Sequence, residues 1–197
     1  MTPLNEKNSD QINLQRIDQI KRAALKVFAR RGIIGTKMSM IATEAGISQG
    51  LSYRYFESKE ELFNTLIQEA MEEANASIGR VNLIPGTPME KIRALTKAIL
   101  DESNKHSFLL IQQAKISDEV PEKTKQIIQH FSSVDPIEQL IPIFIEGQKL
   151  GEFCEGDPYN LLHCYFSVIT GLMLQDTQEG QKNWIQEVDI IIKILLK

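Results

Sequence analysis

Residues 36–59 read TKMSMIATEAGISQGLSYRYFESK, and the most specific spacing of chemically capable side chains in the sequence lies there. Ala42 is small enough to let two helices approach closely, and Gly46 supplies a left-handed turn between them. Ile41 and Ile47 fill a core beneath the turn, and Ser48 opens the second helix. This is helix-turn-helix spacing, which aims the first turn of the second helix at the major groove of a DNA duplex. An Ala-x-x-x-Gly pattern also joins helices in proteins that never touch nucleic acid, so the bare pattern leaves both readings open. Other chemistry finds less support. His106, His130 and His163 share no metal-ligand spacing, and neither do Cys154 and Cys164, so no metal site is expected. Free thiols in a reduced, cytoplasmic setting are the simplest reading of the two cysteines; Cys154 stands near no obvious base that would activate it. No P-loop, Rossmann glycines or nucleophile elbow is present, so no catalytic residue and no cofactor are expected.

The elements that must position this segment are helical throughout. Strand patterns are nearly absent, so an all-α fold of about nine or ten helices is expected: a three-helix N-terminal domain and a larger C-terminal bundle. A first helix spans about 13–31, with Ile17, Ile20, Ala24, Val27 and Phe28 on one face and Gly32 as its stop. A short helix follows over about 37–45 with Thr36 as candidate N-cap, then a third from Ser48 to about Arg54. Ser58 with Glu61 makes a capping box for a fourth, to about Ser77. Pro85, Gly86 and Pro88 form the clearest linker. Amphipathic spacing then predicts helices over about 89–105, 107–116, 121–131 and 135–149, with Pro142 either kinking the last or marking its true start. Asp157-Pro158 opens a helix to about Leu174 that is apolar nearly all round, a sign of burial on more than one side. A last helix is expected from about Asn183 to Leu196.

Composition sets outer bounds. With 42% hydrophobic and 24% charged residues the chain reads as a globular protein. No apolar stretch approaches the roughly 18 residues of a membrane span, and the polar start suggests no signal peptide. The net charge of −4 argues against a polyanionic partner, but its distribution argues for one. Residues 1–60 hold ten Lys/Arg against six Asp/Glu, while the remainder holds twelve against twenty. A basic head on an acidic body suits contact with nucleic acid at one end only.

The wider segment resembles the TetR family of transcription regulators over residues 13–71. The resemblance rests on Phe28, Gly32, Thr36, Ile41-Ala42, Ala45-Gly46-Ile47-Ser48, Gly50, Tyr53-Arg54-Tyr55-Phe56 and Ser58-Lys59-Glu60-Glu61-Leu62, all in one register. Beyond residue 80 it is weaker, resting on helix number, Glu146-Gly147, Gly151-Glu152-Phe153 and Gly171-Leu172. It implies that the helix from Ser48 reads DNA, with Gln49, Gly50 and Leu51 nearest the bases. Gln49 can bond adenine N6 and N7, and Leu51 can meet a thymine methyl. Thr36, Tyr53, Tyr55 and Lys59 match positions that hold phosphates, the last aided by a helix N-terminus. Two departures stand out. Ser39 replaces a residue that is often basic, leaving Lys37 as the nearby charge, and Ser52 replaces a large aliphatic residue under the recognition helix. Which of Leu51 and Ser52 faces DNA is therefore left open.

The same resemblance divides the chain into a DNA-binding domain over 13–57 and a ligand-binding and dimerisation domain over 58–197. It implies a homodimer formed through the helices near 135–149 and 157–174, and a small-molecule effector held by residues such as Ile92, Leu95, Ile99, Phe108, Leu109, Gln112, Phe131 and Phe144. The reading is a repressor released from double-stranded operator DNA by an apolar ligand, cytoplasmic and not an enzyme. The alternative is a helical protein-interaction module with a non-functional helix-turn-helix, for which Ser39 and Ser52 speak. An all-α enzyme would need convergent ionisable groups in the body, and its apolar helices offer few.

Overall fold

The computed structural model describes residues 3–133, 135–175 and 184–197. Ten α-helices, three short 3-10 turns and no strand occur among the described residues, so the fold is all-α. The helices group into two units: residues up to Ala70 together with Leu110–Ile128, and Met71–Leu109 together with Gln129–Lys197.

The first unit opens with α1 (Pro3–Arg31), ten residues longer at its N-terminus than apolar periodicity implied. Its apolar stripe of Ile20, Ala24, Val27 and Phe28 is buried, and the Phe28 ring meets Phe63 edge-on at 5.0 Å between centroids. Gly32 ends the helix in the left-handed conformation, φ 66°. Next come α2 (Met38–Glu44), α3 (Gln49–Tyr53) and α4 (Lys59–Gly79). Ser48 caps α3, accepting from the Leu51 N–H at 3.2 Å. Only half of the box at α4 forms in the expected way. The Glu61 N–H donates to Ser58 Oγ, but the Glu61 carboxylate accepts from Glu57 N–H, one residue further out. Thr36 is not the N-cap of α2. That position is Lys37, whose ammonium has no acceptor with which to cap, while the Thr36 hydroxyl is turned back to donate to the Gly32 carbonyl at 2.7 Å.

In the second unit a 3-10 turn (Val81–Leu83) precedes the expected linker, of which Pro85 and Gly86 lie outside any helix and Pro88 is the first residue of α5 (Pro88–Ile99), opened by a full capping box, Thr87 with Glu90. The helix expected over 89–105 is broken. α5 ends at Ile99, and α6 (Glu102–Ile116) begins where the Asp101 carboxylate accepts from the N–H and hydroxyl of Ser103. The end of α6 and most of α7 (Glu122–Phe131), residues 110–128, belong to the first unit. Pro142 marks a true start: α8 (Ile141–Lys149) carries it in its first turn behind a 3-10 turn (Glu138–Leu140). α9 (Pro158–Leu174) is capped by Asp157, which accepts from Asn160 N–H at 2.8 Å. The expected start of the last helix at Asn183 lies outside the described residues, and the helix itself is short, α10 (Val188–Ile192).

The core of this unit joins Ile92, Leu95, Phe144, Phe153, Leu162, Tyr165, Ile169 and Ile191. Phe144 and Phe153 stack at 4.6 Å, and a Cβ on Gly147 would fall 2.3 Å from the Phe153 ring, so the bare backbone there is what admits the stack. α9 is buried on one side only, through Leu162, Tyr165, Ile169 and Met173. Its other side leaves His163, Cys164, Ser167, Val168, Gly171 and Leu174 exposed, so one protomer alone buries this helix on one side, and the expected burial on more than one side needs a further partner.

Candidate nucleic-acid interface

The turn between α2 and α3 is held from α1. Gly46 sits at φ 66°, and the Gln19 amide donates to the Ala45 carbonyl at 2.6 Å. Ala42 and Ile41 are fully buried beneath it, while Ile47 is half-buried. With one face of α3 fastened in this way, Ser48, Gln49 and Gly50 stand exposed on the other. A Cβ on Gly50 would meet nothing within 4 Å, so the backbone there is open to a close approach.

Burial separates Leu51 from Ser52. Ser52 is fully buried and Leu51 half-exposed. The buried hydroxyl has its partner, donating to the Gln49 carbonyl at 2.7 Å within the same short helix. A serine in the core position therefore leaves no polar orphan, and α3 keeps its seat. Tyr53 is exposed, with 47% of its surface free. Tyr55 is half-buried, its hydroxyl donating to Asn13 Oδ1 at 3.1 Å. Lys37 and Ser39 are exposed at the start of α2.

Two of the expected phosphate contacts are committed elsewhere. Thr36 is fully buried and its hydroxyl is spent on Gly32. Lys59 sends its ammonium inward, donating to the carbonyls of Ile33 at 2.9 Å and Thr36 at 3.1 Å. Both carbonyls lie in the connection between α1 and α2, outside either helix, and that of Ile33 also accepts from the Thr36 N–H at 3.4 Å. A Lys has three N–H donors, so one remains beyond these two. A 3.9 Å approach to the Glu60 carboxylate is too long for a hydrogen bond. A further donor reaches the same corner from far along the chain: the Gln113 amide bonds the Ala29 carbonyl at 2.7 Å. Motif spacing carries no sign of Gln113, because nothing local marks a residue that packs against a helix end 84 positions away.

The expected effector residues separate. Ile92, Leu95 and Phe144 lie in the core of the second unit, with Ile99 and Phe108 packed against it. Leu109 and Phe131 are half-buried outside that cluster, and Gln112 is half-buried in the 110–128 segment of the first unit. Sequence reading missed the polar pair inside the cluster. Thr96 and Tyr165, both fully buried, bring their hydroxyl oxygens within 2.9 Å, and Thr96 donates to the Ile92 carbonyl. The Thr96 proton is thereby used, so the Tyr165 hydroxyl donates to Thr96. Burial pushes the Tyr165 phenol up to about 12, against smaller opposing effects of the Thr96 bond and the Arg93 charge. The apolar run expected over 157–174 does not single out Tyr165, since period alone does not separate Tyr from Phe.

No group of three or more His, Cys, Asp or Glu able to hold a metal occurs among the described residues, and no described helix is long and apolar enough to cross a membrane.

Comparison with known proteins agrees with this geometry. Residues 20–66 match the family of bacterial regulatory proteins, tetR family, a span that contains α2, α3 and the start of α4. The HTH-type transcriptional repressor NicS of Pseudomonas putida is 26% identical over 153 residues, covering 77% of this chain and 71% of that protein. The fatty acid metabolism regulator protein of Bacillus subtilis is 27% identical over 142 residues, 70% of this chain and 71% of that one. The solved structure of the ketosteroid transcriptional regulator KstR2 of Mycobacterium tuberculosis superposes with a TM-score of 0.73 over 92% of this chain and 95% of that chain; at 19% identity it shows a shared fold. With its helix-turn-helix seated from α1 and the first turn of α3 exposed, the segment over residues 20–66 is the DNA-binding segment of the tetR family of bacterial regulatory proteins.

Proposed function

We propose that the protein is a dimeric repressor that leaves a palindromic operator when a small apolar ligand binds its body. The observation that carries the DNA reading is the arrangement at α3: Ser52 buried and satisfied beneath, Ser48, Gln49 and Gly50 exposed above. Gln49 presents a paired donor and acceptor that suits an adenine edge, and Leu51 presents an apolar surface for a thymine methyl. Ser39, Lys37, Tyr53 and the remaining Lys59 donor flank them as backbone contacts. Thr36 and Tyr55 serve through position, the first in the α1–α2 corner and the second through Asn13. In this reading residues 13–57 bind DNA in the cytoplasm and 58–197 sense ligand and dimerise.

Support for the dimer comes from apolar side chains left in solvent on α8 and α9. Ile145, Val168 and Leu174 expose 38%, 42% and 49% of their surface. Support for an apolar ligand comes from the aliphatic and aromatic core around Ile92, Leu95, Phe108 and Phe144, and from two similar proteins whose names concern fatty acid metabolism and ketosteroids. Selection of bound duplexes from random DNA tests the proposal, repeated with a panel of fatty acids and steroids. One enriched palindrome, with affinity lowered by a panel member that also raises the melting temperature, is the expected result. By linkage the operator must weaken that ligand by the same factor. The interaction-module reading predicts no enrichment.

A further inference from the structure

The corner between α1 and α2 is built from carbonyls that need donors, and the donors come from separate parts of the chain. Phe28 accepts from Gly32 N–H, Gly32 from the Thr36 hydroxyl, and Ile33 and Thr36 from Lys59 at the start of α4. Ala29, in the last turn of α1, accepts from Gln113, which lies in the part of α6 that belongs to the first unit. The same carboxamide carries the one buried side-chain oxygen found without a partner among the described residues, Gln113 Oε1. A Cβ on Gly32 would lie 3.9 Å from that oxygen, so the amide rests directly over the glycine that ends α1.

Stability does not account for this arrangement. A hydrogen bond gained at Nε2 and one forgone at a buried oxygen are of similar size, and an apolar side chain of the same shape would avoid the second cost. What the amide does supply is direction. It fixes one carbonyl in the last turn of α1, the helix to which the α2–α3 pair is tied ten residues earlier, through Gln19 and Ala45. We propose that Gln113 is a positioning residue for DNA binding, holding the end of α1 so that α2 and α3 meet the duplex at the pitch that reads bases. This rests on the DNA-binding reading above. Gln113 itself contacts no base; it acts through the α1–α2 corner.

The test uses the full chain with Gln113→Met and Gln113→Glu, the operator duplex enriched by the wild type, and a scrambled duplex. Gln113→Met removes the amide and keeps the bulk, so its melting temperature should equal or exceed that of the wild type. Its operator affinity should fall about tenfold while binding to the scrambled duplex stays within about twofold, because only base reading depends on pitch. Gln113→Glu should lose the operator at about pH 8 and approach the wild type as pH falls toward about 4.5, where a carboxyl whose charged form is disfavoured by burial beside the Ala29 carbonyl protonates and again donates. Unchanged operator affinity in Gln113→Met overturns the proposal, as does an equal loss on both duplexes or a loss that only follows a lowered melting temperature. Should Gln113→Met fail to fold, the pH dependence of Gln113→Glu relative to the wild type decides. If the wild type enriches no sequence, the DNA reading fails and this proposal falls with it; enrichment with an indifferent Gln113→Met overturns this one alone.

Discussion

Gln49 and Lys59 lie within one helical turn-helix segment and do different physical work. Gln49 is exposed on α3 and offers one base edge a donor and an acceptor at once. Gln49→Ala should cost roughly 1–3 kcal/mol per half-site on the preferred operator and little on a scrambled duplex, with discrimination lost at one base pair. Equal losses on both would mean that α3 does not read bases through this residue. Lys59 spends two of its donors on Ile33 and Thr36 and keeps one. Lys59→Ala should lower operator and scrambled affinity alike and flatten the salt dependence by about one phosphate per subunit. Because it also strips two carbonyls of a charged donor, a loss of stability of about 1–3 kcal/mol should accompany it in denaturant titration. An unchanged salt slope with that loss of stability would make Lys59 a clamp on the corner and nothing more.

At the scale of elements, what could be read from sequence was what local chemistry announces. Ser48, Asp157 and the proline after it mark helix starts by themselves, and Gly32 and Gly46 mark left-handed turns. The break between α5 and α6 stayed hidden because Ile99 and Leu100 continue the apolar period right up to it; only the Asp101–Ser103 turn ends it. The Thr36 reversal was invisible for the opposite reason: its competing acceptor, Gly32, is brought near only when α1 ends where it does. The Thr96–Tyr165 bond, joining α5 to α9, needs two residues 69 positions apart and no motif foretells it. It carries a pH signature. The folded phenol ionises near 12 and an unfolded one near 10, so above about pH 10 the unfolded state releases a proton that the folded state keeps. Stability should be full below about pH 10 and fall by about 2–3 kcal/mol as pH rises to about 12. Tyr165→Phe should remove that part of the alkaline loss while costing about 1 kcal/mol at neutral pH, from denaturant midpoints measured across the range. An alkaline limb identical in both proteins would place the loss elsewhere.

At the scale of the molecule, α3 sets the terms. It is five residues long, and one such helix reaches too few base edges to find a site among many. Two copies on a two-fold axis double the readout, and linking them turns the second encounter into an intramolecular one, worth about 10²–10⁴ in affinity. The faces available for that axis are the exposed sides of α8 and α9. On α9 the small residues Cys164, Ser167 and Gly171 recur at spacings of three and four, with Val168 between them, which would let a second helix come close. Leu172 is a poor place to test this, because it packs partly against the protomer's own core, and a charge there would damage the fold. Val168 is 42% exposed and outside that core, so Val168→Arg should leave the helical content and the denaturant midpoint of the isolated chain unchanged. Two guanidinium groups brought together near a two-fold axis would repel in a partly dry setting. Sedimentation should then show one chain mass where the wild type shows two, and operator affinity should fall by about two orders of magnitude or more, toward the scrambled level. A Val168→Arg protein that still sediments as a dimer would move the axis off this face of α9, and a monomeric variant with undiminished operator affinity would mean that one copy of α3 suffices.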